Sequence, residues 1–324
     1  MKFSLIRLAF QLLLGVLTIV ILVACHNLGD TPVTSLKPQL ENCRTVKHIM
    51  GTACIPRSPQ RVIALREDTL ANSLALGIKP IASVFEPSYP LPAYLQQKIK
   101  GIVSVGKTDA PNLERILELK PDLILANSYY SARIYKQLSQ IAPTVTLNVP
   151  FPPPSWKQQL EELAKVLGRE EVGQQLINQY QQRIENLKQK LGNRRRTINV
   201  SIASTTSAYG LWVNGEKHFS GEVLRDLEVQ RPPIQRGDFF YIDNISEENV
   251  LDIDGDILFF VVFGTAEDLK TVEKLKQNPL WKKLSAVQRA QVYSVGGHWS
   301  NADVFAINAI LDDLSEYLVD SSKS

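Results

Sequence analysis

The chain is poor in the side chains that carry most metal and redox chemistry. Four histidines, three cysteines and two methionines are spread through 324 residues, and His26, His48, His218 and His298 lie far apart. The cysteine spacing matches no zinc pattern, and a free-metal site needs clustered nitrogen, sulfur or carboxylate ligands. No GxSxG, no HExxH and no GxGxxG after a strand occurs, so the common motifs for acyl transfer, zinc hydrolysis and dinucleotide binding are missing. Excess charge is missing as well. The balance of 36 Lys+Arg against 33 Asp+Glu lacks the basic footprint of a nucleic-acid binder. Long apolar runs are confined to the N-terminus.

There, Lys2 and Arg7 precede an apolar run from Leu8 to Ala24 that only Gln11 interrupts. A basic start, a short apolar core and small residues before a cleavage point describe a secretory signal over residues 1–24. The run is shorter than the ~20 apolar residues of a spanning helix. Leu22-Val23-Ala24-Cys25 resembles the bacterial lipobox, in which the cysteine is acylated, so Cys25 is expected to anchor the chain in membrane lipid. Removing residues 1–24 takes away two cations and no acid, leaving the mature chain near neutral. Residues 25–42, with Pro32 and Pro38, read as a flexible tether. The folded part is expected outside the cytoplasm, at the periplasm or cell surface. In that oxidising setting Cys43 and Cys54, flanking two short strands that meet near Met50-Gly51, are expected to form a disulfide.

One motif points elsewhere. Gly101-Ile102-Val103-Ser104-Val105-Gly106-Lys107-Thr108 fits the phosphate-loop pattern GxxxxGK[ST]. A working loop is a nest of backbone N–H groups, and its Lys-Thr pair opens a helix. Here three of the four variable positions are β-branched and fit a strand, and Pro111 fits a helix that starts only there or just after. The match is therefore read as accidental.

Residues 43–324 exceed what one hydrophobic core usually serves, so two lobes are expected. Val62–Leu65, Ile81–Val84, Ile102–Val105 and Leu123–Ala126 are short apolar runs with helical patterns between several of them, which predicts an α/β lobe with a mainly parallel sheet over 43–154. After Phe151-Pro152-Pro153-Pro154 no strand signal appears until about Leu191. Leu176, Ile177, Tyr180, Ile184, Leu187 and Leu191 recur at helical spacing, and a helix over Glu170–Leu191 would span about 33 Å. Residues 155–192 are thus a helical linker, and 193–324 a second α/β lobe with strands at Ile198–Ile202, Ile257–Phe263 and Gln291–Val295. Val304, Ile307, Leu311, Leu314 and Leu318 form the core stripe of a closing helix.

The two lobes echo each other. Asn112-Leu113-Glu114 leads to Asp122-Leu123-Ile124, and Ser246-Glu247-Glu248 leads to Asp256-Ile257-Leu258, with the two glutamates and the two aspartates equally spaced. Each segment predicts a polar cap, a short helix, a turn and a buried strand.

The runs RVIALREDTLANSLALGIKPIASV, VGKTDAPNLERILELKPDLILANS with IAPTV after it, ISEENVLDIDGDILFF and a late W…LDDL resemble the substrate-binding lipoproteins of iron–siderophore ABC importers, relatives of the ferric-citrate, ferric-hydroxamate and vitamin B12 binding proteins. The likeness runs from about Cys43 to Val319. It implies two Rossmann-like α/β lobes bridged by a single long helix, with a ferric siderophore held between them and passed to a membrane permease. It implies no enzyme activity and no cofactor, the iron complex being cargo, and a monomer is expected. It also implies that Glu114 and Glu248, one per lobe, dock on the permease. Haem or cobalamin is the alternative ligand of the same class, and an extracytoplasmic hydrolase the remaining one.

A ferric siderophore is bulky and often anionic, so its site needs cations for the oxygens and aromatic walls for the scaffold. Ligands of α/β lobes meet the loops at the carboxyl ends of strands. That rule selects Arg66, Lys107, Tyr129 and Tyr130 in the first lobe, and Tyr209, Trp212, His298 and Trp299 in the second, with Arg236 from the loop RPPIQRG. The resemblance supports Tyr130, which falls where hydroxamate-type relatives carry a ligand-contacting tyrosine. Those relatives place an arginine before Pro-Asn-Leu-Glu, where this chain has Lys107-Thr108. The departure points away from hydroxamates and toward catecholate or carboxylate types.

Overall fold

The computed structural model describes residues 43–85 and 91–320; the signal, Cys25 and the tether lie outside the described residues. Strands β1 (Cys43–His48) and β2 (Gly51–Pro56) pair as a hairpin, and both Cys43 and Cys54 are disulfide-bonded. Arg44 ties this hairpin down by donating to the carbonyls of Lys165 and Val166, at the C-terminal end of a helix where carbonyls lack partners.

The first half alternates strand and helix: β3 (Val62–Ala64), α1 (Glu67–Ala75), β4 (Ala82–Ser83), α2 (Ala93–Gln96), β5 (Val103–Ser104), α3 (Leu113–Glu118), β6 (Leu123–Asn127), α4 (Ser128–Ser131), α5 (Tyr135–Ile141) and β7 (Thr144–Leu147). The sheet order is β5-β4-β3-β6-β7, parallel throughout. Its central strands are buried on both faces, which is why they read as continuous apolar runs. The phosphate-loop match dissolves here. Val103 and Ser104 are strand, Gly106 sits at φ +103° where a Cβ would meet the Ala110 carbonyl oxygen at 2.8 Å, and the next helix opens at Leu113.

Two helices follow. α6 (Trp156–Leu167) opens with a capping box between Ser155 and Gln158 and stops at Gly168 in left-handed geometry; α7 (Glu170–Leu191) is the long helix. The linker therefore holds a shorter helix ahead of the long one.

The second half contains β8 (Val200–Thr206), β9 (Gly210–Asn214), α8 (Phe219–Asp226), β10 (Tyr241–Ile245), β11 (Ile257–Val262), α9 (Ala266–Gln277), α10 (Ser285–Gln288), β12 (Val292–Gly296) and α11 (Val304–Leu314). Its sheet order is β10-β9-β8-β11-β12, with β8, β11 and β12 parallel and β9 and β10 antiparallel. β9 and β10 carry apolar stretches of only three and two residues, Leu211-Trp212-Val213 and Tyr241-Ile242, and were not expected from the sequence.

The echo has a structural cause. Asp122 accepts from the backbone N–H of Gln60 (2.7 Å) and Arg61 (2.9 Å), and Asp256 accepts from that of Asn199 (2.8 Å). Each aspartate, just before a central strand, thus pins the start of the strand beside it, β3 in one half and β8 in the other. The caps differ from expectation. Asn112 accepts from the Arg115 N–H, but Ser246 makes no side-chain cap, because Glu247–Ile253 winds as a tight 3₁₀ segment instead of an α-helix.

One apolar cluster runs through both halves. Val62, Leu123 and Val145 of the first sheet connect through Trp156, Ile177 and Tyr180 to Ile202, Phe259 and Ile307 of the second half. Polar contacts reinforce it: Asp226 of α8 receives Lys157 Nζ (2.5 Å) and the Tyr180 hydroxyl (2.8 Å). The described residues from Arg44 onward form one compact unit.

Candidate functional site

In each sheet the strand order reverses at one point, between β3 and β6 in the first and between β8 and β11 in the second. Loops leaving neighbouring strands there turn in opposite directions and open a crevice at the carboxyl ends. Arg66 follows β3 and Tyr129 and Tyr130 follow β6; Tyr209 follows β8 and Phe263 follows β11. The two crevices face each other. The hydroxyl of Tyr130 is pushed up by burial, held down by Arg66, and raised again by Tyr129, Tyr209 and Asp109. The Tyr241 hydroxyl is likewise raised by burial, then by Tyr209, Asp243 and Tyr129. Groups of the two lobes therefore lie within electrostatic reach of one another.

Rings make the walls. Tyr129 and Tyr130 meet edge to face at 4.8 Å between centroids, and Tyr209 packs edge-on to Trp212 (5.8 Å) and Tyr241 (6.4 Å). Trp212 leans on Phe263 at 5.9 Å. Phe151 crosses from the end of the first lobe to Phe240 (5.8 Å) and Tyr241 (5.7 Å). Tyr129, Tyr130, Phe151 and Tyr209 are 63%, 41%, 60% and 50% exposed. Large apolar side chains left this open on facing surfaces mark a binding cleft. The sequence reading missed Phe151, Phe240, Tyr241 and Phe263. The strand-end rule applied to β11 would have found Phe263; the others depended on knowing that β9 and β10 exist.

Arg66 is held for use. Its Nε pairs with Asp68 Oδ2 at 2.8 Å, Asp68 accepts from the Thr69 N–H at 2.7 Å, and the Arg66 Nη groups make no hydrogen bond among the described residues. A guanidinium fixed through Nε presents its outer edge as a two-pronged donor for anionic oxygens. Lys107 is exposed on the loop after β5, one strand beyond β4 from the crevice.

The remaining candidates do something else. Trp299 is fully buried, stacks on Phe259 at 4.5 Å and donates to Asp313 at 2.7 Å, so it is core and not cleft wall. His298 turns to the same carboxylate, with Nε2 2.8 Å from Asp313. Both follow β12 through the 3₁₀ turn Gly297–Ser300, which aims the side chains at α11. Arg236 is exposed, but its Nε is bound to the Arg231 carbonyl at 2.6 Å. Arg231 itself is buried, donating to the Asn214 carbonyl and to Gln235 (2.6 Å each), while Gln235 reaches Ser201 Oγ (2.7 Å) and accepts from the Ile202 N–H (2.9 Å). The RPPIQRG loop is thus a brace that locks β8 and β9, the base of the second aromatic wall. Beside it, burial and then Arg231 pull His218 down to about 3, so this imidazole is neutral and structural.

Glu114 and Glu248 are both exposed, each early in its helical segment on its own lobe. Among the described residues, no three His, Cys, Asp or Glu side chains gather in a metal-holding group, and no helix is long and apolar enough to cross a membrane.

Two crevices of aromatic rings and one presented guanidinium, on α/β lobes joined by a long helix, define a solute-binding protein of the helix-bridged type. Residues 62–297 match the model of the periplasmic binding protein family, and the chain belongs to that family. It is 31% identical to the probable siderophore-binding lipoprotein YfiY of Bacillus subtilis, over 95% of this chain and 97% of that protein. It is also 31% identical to the achromobactin-binding periplasmic protein of Dickeya dadantii, over 79% of this chain and 86% of that one. Among solved structures, Staphylococcus aureus SirA complexed with staphyloferrin B superposes with a TM-score of 0.72 at 27% identity, covering 85% of this chain and 98% of that chain.

Proposed function

We propose that the protein captures a ferric siderophore between its lobes and delivers it to the permease of an ABC importer. The observation that carries this reading is the meeting of Arg66 with aromatic side chains of both lobes at the two strand-order reversals. Anionic oxygens of the iron complex meet the guanidinium, and its organic shell lies against Tyr129, Tyr130, Tyr209, Trp212 and Tyr241. In this reading the iron is recognised through its chelator. Relatives named for siderophore and achromobactin binding, and the SirA complex with staphyloferrin B, support a siderophore as the ligand. The chain's Lys107-Thr108 in place of an arginine argues against a hydroxamate and leaves catecholate and carboxylate types open. Docking of Glu114 and Glu248 on the permease, and anchoring through acylated Cys25, complete the proposal.

Fluorescence quenching by ferric citrate, ferric catecholates and ferric hydroxamates tests it, with haem and cobalamin as competitors. Saturable quenching by an iron chelate is expected, citrate-based complexes binding most tightly. Binding of haem or cobalamin with no response to any chelate overturns the reading.

A further inference from the structure

The start of α11 belongs to the second half of the chain yet is held by the first. The Val304 N–H donates to Asn72 Oδ1 of α1 at 3.0 Å, and both residues are buried. The Tyr94 hydroxyl of α2 donates to Asp303 Oδ2 at 3.0 Å and accepts from Asn301 Nδ2 at 3.2 Å. Phe305 packs near Tyr94, 6.2 Å between centroids, and Lys98 sits 4.7 Å above its ring. α1 begins directly after Arg66, and α11 begins just beyond the loop that leaves β12. These contacts therefore join the lobes at the cleft end of both sheets.

The central group is a carboxylate placed where a charge is costly. Asp303 is 1% exposed, and its hydrogen bonds come from neutral donors: the Ala306 N–H at Oδ1, the Tyr94 hydroxyl at Oδ2 and the Phe305 N–H. The charge that acts on it is a like one, Asp68 of α1, and Glu67 acts on Tyr94. Cations nearby are committed: Arg66 to Asp68, Lys98 to the Phe305 ring. Elsewhere against α11, Arg183 of α7 pairs with Asp312, His298 with Asp313, and the α8 acids Glu222 and Asp226 face Trp156, Lys157 and Tyr180.

We propose that Tyr94 and Asp303 form a proton-controlled clasp that holds α2 against α11 and, through the adjoining Asn72–Val304 contact, positions α1 and the cleft edge at Arg66 against the second lobe. This rests on the reading of the cleft as the ligand site. With Asp303 neutral, the carboxyl caps α11 and bonds Tyr94 without facing Asp68 as a second anion. Once it ionises, repulsion and the cost of a buried charge favour opening the seam toward water. Burial, opposed by its hydrogen bonds and reinforced by Asp68, lifts the Asp303 carboxyl to about 7, so the clasp changes state near neutral pH.

The test needs no ligand, so its failure is distinct from failure of the siderophore reading. Amide exchange at Val304 is followed in the full chain at pH 5.5 and pH 8.5, corrected for the intrinsic pH dependence of exchange. The wild type is expected to exchange at least tenfold faster at the higher pH. Asp303→Asn keeps the cap without the charge and should stay protected at both; Tyr94→Phe should exchange fast at both. If Asp303→Asn fails to fold, Asp68→Asn serves, since removing the facing anion should lower the wild-type midpoint. Equal corrected rates in the wild type, an unshifted midpoint in Asp68→Asn, a pH response surviving in a folded Asp303→Asn, or protection in Tyr94→Phe overturns the clasp.

Discussion

The two lobes are built on one plan and furnish the cleft differently. In each, an aspartate just before a central strand, Asp122 or Asp256, pins the backbone that opens the strand beside it. In each, the crevice opens where strand order reverses. The first lobe keeps a parallel sheet and presents charge: Arg66 stands at the crevice, fixed by Asp68. The second replaces half of its parallel sheet with the antiparallel strands β9 and β10, and these supply Trp212 and Tyr241. Its own arginines brace the loop beneath them. A shared fold thus fixes where a ligand meets the protein, while the kind of strand beside the crevice decides which chemistry it meets.

If the paired carboxylates Glu114 and Glu248 do the same job in each lobe, the comparison breaks most visibly when both are removed. Glu114→Ala with Glu248→Ala is expected to abolish uptake of the iron complex in cells while leaving ligand affinity and melting temperature near wild type. Normal transport, or transport lost together with affinity, would show that the exposed pair serves only its own helices through the dipole interaction.

A second experiment asks whether the lobes are separate at all. The continuous apolar cluster through Trp156 makes them one folding unit. Trp156 is 1% exposed and packs edge-on to Tyr180 at 4.8 Å, so Trp156→Ala should cost about 3–5 kcal/mol. Both sheets should unfold in a single transition in chemical denaturation. Two resolved transitions in the wild type would mean that each half holds its own core.

The division between charge and aromatic walls is sharpened by single substitutions in the cleft. Arg66→Ala should weaken binding of an anionic ferric chelate by about 1.5–3 kcal/mol, the range for a lost charge-assisted bond, and flatten the salt dependence of affinity. Arg236→Ala should do less, because its guanidinium is already turned to the Arg231 carbonyl. Equal losses titrated side by side would assign the second lobe a charge of its own.

The smallest effect lies where the second lobe meets the linker. Glu222 on α8 is buried, and burial, opposed by Arg225 and Lys157, raises its carboxyl to about 7 from an ordinary 4.5. A folded-state value above the unfolded one means stability present at pH 4 and lost as pH rises to about 7. Glu222→Gln should therefore flatten the melting temperature between pH 4.5 and pH 7 relative to wild type. An identical slope in the two proteins would remove Glu222 from the balance.

What could be read from the sequence follows from burial. Val62–Ala64, Leu123–Asn127 and Ile257–Val262 are buried nearly end to end, and a strand covered on both faces has to be apolar throughout. The bounds of the long helix, Glu170–Leu191, and the apolar stripe of α11 were legible for the same reason. β9 and β10 were not, because Gly210–Asn214 buries only three of its five residues and Tyr241–Ile245 buries none fully, with Asp243 and Asn244 in the second. Such short strands depend on their partner strands for stability, β10 at the sheet edge most of all.

The class of fold, the strand ends from which Arg66, Tyr130 and Tyr209 emerge, and the repeated Glu…Asp spacing could all be worked out from the order of residues. These depend on local spacing and on which residues water rejects. Tertiary structure alone decided that His298 and Trp299 turn inward to Asp313, that Arg231 is consumed as a brace, and that Phe151 and Tyr241 join the cleft. Side-chain direction at a strand end depends on the turn that follows and on what packs there. That depends on contacts between residues far apart in the chain, such as Tyr94 with Asp303 and Asn72 with Val304.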